Sequence, residues 1–379
     1  IYCVANGGLF FVNKTDETIN RLSKVTGLSD VDVKQVSYSE ALKTTIITYE
    51  NCNIDLLKNN QIINISDIKR KEITGIKSIN NITLRNGIAY LSCTFGLILL
   101  DLEKEEIKDT YTVGEESVIY EINGCAFLGD SIITATSAGI FYANSNSQTL
   151  SDYNSWTALL THPNEETYDN VIIANNVIVV DYFFDIISIS YNNNTLIRSK
   201  FDRIGVNKDN GDYIELTHSK FENIKYAWID SEAIIWVADS ANGLLKFSNL
   251  EYQGSYNPEC SEENRIFSLE FFNSKLYVCH GGHINFGTLW NKNGASVMDQ
   301  FDDWKNYNYY KLKNARDIVS IAGYGDKTYF ASYYNGVVEV VNGEVIERYS
   351  HTNTNRGLDT IDNWQNDYRM AIADLEFDD

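Results

Sequence analysis

The chain has 379 residues, roughly two to three times the commonest domain length, so it holds either several ordinary domains or one large repetitive one. Its 31 basic and 52 acidic residues leave a formal charge of −21, which argues against nucleic acid or an anionic membrane surface as a partner. With 44% hydrophobic and 22% charged residues the composition is that of a folded, soluble protein. The longest apolar stretch, 171–184, is broken by Asn175, Asn176 and Asp181, so no membrane-spanning segment is expected.

Taken in chain order, short alternating apolar runs are separated by Asn, Gly, Asp and Ser, and helical periodicity is almost absent. Ile1 already sits in a strand-like run, so the chain is expected to be a piece of a longer protein. Residues 1–5, 9–12 and 18–22 look like strands two to four of a unit whose first strand is missing. The clearest unit follows at 79–84, 88–93, Gly96 with 97–100, and 107–111, a four-stranded meander. First strands begin near Val33, Ile79, Tyr120, Val171, Ile224, Ile266, Ile318 and Ile372, at spacings between 41 and 54 residues. That period predicts an all-β fold, a β-propeller of four-stranded antiparallel blades. Residues 371–377 read as a first strand with nothing after it. Pairing them with 1–5 would close a ring of seven or eight blades, a single domain over 1–379 without a free edge. The 144–223 region is the least regular.

A Gly recurs between the second and third strands, where the chain reverses sharply and a positive φ is useful. Small residues precede it: Ala5, Cys93, Ala135, Ala238, Cys279 and Ala331. These are expected to let neighbouring blades approach closely. The six cysteines, at 3, 52, 93, 125, 260 and 279, have no metal-ligand spacing and read mostly as free, buried thiols.

The runs 6–10 (NGGLF), 235–239 (IWVAD) with 242–244, and 373–378 (ADLEFD) resemble the two-component-regulator propeller repeat. The runs 49–56 (YENCNIDL), 65–71 (ISDIKRK), 90–96 (YLSCTFG), 266–269 and 276–282 (LYVCHGG) are more specific. In that order they are similar to the N-terminal propeller region of PorZ-type proteins of the type IX secretion system. The resemblance implies a secreted, Bacteroidetes-type protein at the cell surface that is not an enzyme. The chain departs from that layout in holding material for one propeller and no sorting domain, and Cys52 stands where the repeat favours Gly.

Motifs for chemistry are sparse. Two histidines, His280 and His283, lie three apart, but the sequence around them supplies no convincing further ligand, so no metal site and no cofactor are expected. Neither a nucleophile elbow nor a P-loop occurs, and the polar loop 207–212 reads as a hairpin turn without the spacing of a calcium loop. Trp228, Trp236 and Trp304 lie in strand-like runs and are expected in the core. Trp290, in the long insert 281–294, and Tyr182, Phe183 and Phe184, where the chain turns after a second strand, are expected at a rim where partners bind, with His280 and His283 beside them. The reading is a non-catalytic extracytoplasmic binding propeller, a type IX secretion accessory whose partner is an envelope protein or a glycan such as lipopolysaccharide. The alternative is an oligosaccharide-sensing ectodomain of a hybrid two-component system.

Overall fold

The computed structural model describes residues 1–5, 7–115, 118–161, 168–181, 186–263, 265–300, 303–360 and 369–377. Runs rich in Ile, Val, Leu and Tyr form short antiparallel strands, because branched and aromatic side chains pack well on a pleated surface. Two-residue turns reverse many of them. Asn86 (φ 50°) and Gly87 (φ 76°) join the strands Ile79–Arg85 and Ile88–Cys93, the mirror-image turn whose twist matches that of the strands it connects.

Where the sequence reading expects one domain, the chain divides into two compact units, Ile1–Pro258 and Glu259–Asp379. Among the described residues of the first unit, a three-stranded sheet over 2–22 is followed by four-stranded sheets over 33–65, 79–111 and 122–161. A two-stranded sheet over 170–181 and four-stranded sheets over 188–217 and 224–256 complete it, and a small ribbon spans 114–119. Strands Val33–Ser39, Ile79–Arg85 and Ile224–Ile229 begin on the expected residues. The region expected to be irregular holds a regular four-stranded sheet, 188–217, in addition to the two strands Asn170–Ala174 and Val177–Asp181.

Neighbouring sheets share apolar layers. Ile46, Leu56, Ile79 and Leu91 are fully buried between the second and third sheets, and Ile197, Ile224, Val237 and Leu245 between the sixth and seventh. A fully buried side chain of this kind stabilises by about 1.5–3 kcal/mol relative to its exposed state. The first sheet also packs against the last of its unit, where Cys3, Phe10 and Val12 meet Trp236, Leu244 and Tyr256. Asp230 ties the same junction polar-side: it accepts from Lys14 Nζ at 2.9 Å and from Trp236 Nε1 at 3.2 Å. The expected pairing of 1–5 with 371–377 is therefore a correction. Among the described residues, Tyr2–Ala5 pairs only with Gly8–Val12, and 371–377 takes no strand. Each end finds its partner inside its own unit.

The second unit holds four-stranded sheets over 268–307 and 318–349 and a ribbon over 283–288. Cys279, Leu312, Ile318 and Val338 are completely buried between the two sheets. Ala371, Ile372 and Leu375 pack on Val319, Ala331 and Tyr333, and Ile372 N donates to Ser332 O at 3.2 Å.

The small-residue positions behave as read at Cys93, Ala135, Cys279 and Ala331, which are fully buried, but Ala238 is half-buried and Ala5 exposed. Cys52 keeps the left-handed backbone expected of Gly there, at φ 62°. Five cysteines are free and buried, and Cys260 is free and exposed. Burial pushes the Cys125 thiol up to about 11 and Cys279 up to about 12, far from reactive thiolates. The 207–212 loop is the hairpin turn between Arg203–Lys208 and Tyr213–Thr217.

Candidate functional site

The strands Lys275–Cys279 and Ala295–Met298 are neighbours in their sheet, and the residues between them leave it as an insert. Gly281 permits the departure: its N–H donates to Ile318 O at 2.9 Å, and a Cβ there would collide with the Asp317–Ile318 backbone. The insert then folds into a short ribbon, His283–Ile284 against Gly287–Thr288. Its turn residue Phe286 is 84% exposed.

Asp317 pins the return. Fully buried, it accepts from Trp290 N at 3.0 Å and from Asn291 N at 2.9 Å. Burial pushes this carboxyl above its ordinary range, and the backbone N–H groups only partly offset that. Held this way, Trp290 takes φ 62° and leaves its side chain 53% exposed. Its ring lies 4.9 Å from that of Tyr334. The Arg316 guanidinium stands over the Trp290 ring at 5.1 Å and over the Tyr309 ring at 5.2 Å. Lys292 Nζ is 5.2 Å from the Tyr309 centroid. The result is a shelf of aromatic rings with cations on it, and the insert that leads to it exposes Ile284, Phe286 and Leu289.

Of the residues expected at a rim, Trp290 is on this shelf. His283 lies beside it, stacked on Tyr333 at 4.4 Å and 5.4 Å from Phe267. His280 is a correction: it is fully buried, with Nε2 at 2.8 Å from Ser296 Oγ and 3.1 Å from Ser261 Oγ, and Nδ1 at 3.0 Å from Arg265 O. It lies one residue past the strand Lys275–Cys279, where these bonds hold the ring in the core, so the two histidines share no ligand-facing surface. Tyr182, Phe183 and Phe184 lie outside the described residues. Sequence reading missed Arg316, Tyr309 and Lys292. The signal for Tyr309 and Arg316 was the run 304–316, which carries four basic and four aromatic residues and no acid.

The first unit has a shallow cleft of about 590 Å³ beside the 114–119 ribbon, lined by Glu115, Tyr120, Tyr153, Asn154 and Trp156 among others. The Trp156 ring is anchored by its Nε1 donating to Leu150 O at 3.1 Å, and burial pushes the Tyr120 hydroxyl up.

Residues 1–157 match the family model described as the N-terminal β-propeller domain of PorZ of the type IX secretion system. The resemblance to the PorZ N-terminal propeller holds. The fold agrees: the structure of PorZ of Porphyromonas gingivalis superposes with a TM-score of 0.71 over 97% of this chain, at 19% identity. That structure is described as an essential bacterial surface component of the secretion system, and this chain spans 52% of it. Extracellular domains of two-component-system proteins from B. thetaiotaomicron align over 91% and 93% of this chain and 53% and 50% of theirs, at 12% and 13% identity. Their TM-scores are 0.37 and 0.35, too low to establish a shared arrangement of sheets. No curated protein matches.

Proposed function

We propose that the chain is a non-catalytic binding platform of the cell envelope, a PorZ-like component of type IX secretion that works at the cell surface. The match of residues 1–157 to the PorZ propeller family carries this reading. In it, the seven sheets of Ile1–Pro258 act as a closed ring, a reading supported by the packing of the first sheet on the seventh. The binding face we assign to the shelf around Trp290, because a rigid sheet holds an exposed aromatic insert there. The partner is an envelope protein.

Capture of envelope proteins by the immobilised chain tests this. Trp290→Ala is expected to lose the captured protein while leaving the melting temperature unchanged, since the ring is half in solvent. Retention of every captured protein by the variant would remove the shelf from the reading.

A glycan partner has one observation of its own, the cleft with Tyr120, Tyr153 and Trp156 beside Glu115 and Asn154. Aromatic faces with amide and carboxylate groups at their edges suit a sugar ring. Tyr153→Ala should then abolish lipopolysaccharide or oligosaccharide binding on a glycan array. An array blank for the unmodified chain would reject the glycan.

A further inference from the structure

We propose that Arg316 is a carboxylate-recognition site whose ligand is an acidic polypeptide segment with an apolar residue beside the acid. The inference deepens the platform reading and rests on it. Three observations carry it. First, the guanidinium is held over two rings, Trp290 at 5.1 Å and Tyr309 at 5.2 Å. A guanidinium that sits over aromatic rings keeps its N–H donors available to a planar acceptor such as a carboxylate.

Second, Arg316 makes no side-chain hydrogen bond or ion pair among the described residues. The adjacent Asp317 carboxylate is already engaged by the backbone of Trp290 and Asn291. Lys305 and Lys313 in the same run are paired with Glu344 and Glu347, whereas Lys292, across the Tyr309 ring, has no carboxylate partner among the described residues. In a chain of charge −21, two such cations on one ring form a local concentration of positive charge beside the buried Asp317, whose carboxyl Arg316 helps to hold down. A carboxylate ligand gains there what the chain's net negative charge denies it.

Third, the insert that leads to Trp290 carries apolar side chains in solvent: Ile284, Phe286 and Leu289 are 63%, 84% and 40% exposed. A bare phosphate or sulfate would use none of that surface, and a uronic acid would use little of it. A peptide that sets a hydrophobic side chain beside Glu or Asp uses both halves, the fork for the acid and the ribbon for its neighbour.

The test uses the whole chain and a fluorescent peptide with one glutamate between two phenylalanines, its glutamine counterpart, trigalacturonate and inorganic phosphate. The glutamate peptide is expected to bind about tenfold more tightly than the glutamine peptide, the worth of one charge-assisted hydrogen-bond pair. Arg316→Gln should erase that preference without changing the melting temperature, Arg316→Lys should restore only part of it, and Trp290→Ala should weaken both peptides. Equal affinity for the two peptides, a preference that survives Arg316→Gln, or binding of trigalacturonate or phosphate in place of the glutamate peptide would each overturn the proposal. Equal peptide affinities together with loss of envelope capture in Trp290→Ala would overturn carboxylate recognition and leave the platform standing. A glutamate preference erased by Arg316→Gln, with capture unaffected by Trp290→Ala, supports the carboxylate site and removes the platform's partner from it.

Discussion

Asp30 shows how much of this protein's polar chemistry is structural. Its carboxylate accepts from Lys69 Nζ at 2.6 Å, Asn51 Nδ2 at 2.7 Å and Asn53 Nδ2 at 3.3 Å, and the Lys69 bond above all pulls it down from 3.8 to about 2. A carboxyl depressed in the folded state stabilises above its unfolded value and loses that contribution as pH falls toward the folded one. The melting temperature should therefore drop between pH 3.8 and about 2, and Asp30→Asn should be less stable at neutral pH with a shallower drop across that window. Parallel pH–melting curves check it. Asp55, wholly buried, accepts from Tyr49 Oη at 2.5 Å, Ser29 N at 2.8 Å and Asn64 Nδ2 at 2.8 Å. Asp55→Ala strands those donors and should cost on the order of 3 kcal/mol in urea unfolding. Single residues were the least legible scale. Trp290 could be read from the polar insert around it, but nothing in the sequence says that His280, just past its strand, turns inward, and Arg316 gains meaning only when Trp290, 26 positions before it, joins Tyr309 beside it.

Strands were legible wherever apolar alternation was clean. Ile318–Tyr324 and Ile88–Cys93 start on the expected residues because most of their buried positions are Ile, Val, Leu and Ala, with a single buried serine in each. The 188–217 sheet was missed because Ser190, Thr195 and Ser199 are buried in it. Ser190 Oγ donates to Ala227 O at 2.7 Å and Thr195 Oγ1 to Asn193 O at 3.2 Å, so polar residues occupy core positions and blur the period of two. The recurring Gly was expected from its turn, and the structure adds a second reason. At Gly96 (φ 128°) a Cβ would come within 2.8 Å of Tyr111 O on the fourth strand, and at Gly336 (φ 91°) it would collide with Tyr349 O. Gly336→Ala therefore combines an unfavourable φ with a backbone clash. It should destabilise the second unit by more than about 1–2 kcal/mol, read as a lowered thermal transition.

For the whole molecule, the repeat predicted the succession of four-stranded antiparallel sheets and misplaced the chain's ends. Residues 371–377 do have an apolar first-strand pattern, and that pattern is used, since Ala371, Ile372 and Leu375 cover Val319, Ala331 and Tyr333. Removing 371–379 should thus lower the melting of Glu259–Asp379 and spare Ile1–Pro258. Differential scanning calorimetry of the truncated chain, with an unchanged first-unit transition, is the expected result. Trp236→Ala should do the converse, costing about 3–5 kcal/mol at the first-to-seventh junction. That junction also sets a timetable. Lys14 meets Asp230 across 216 positions and Glu17 meets Lys246 across 229, so the first sheet is made early and buried late. Phe10 and Val12 stay without their cover until residue 256 has been delivered, and contacts of such long range form slowly. A chain released before that point presents an apolar sheet to its surroundings, which makes the interval between its first and last sheets the period in which it most needs a holding partner.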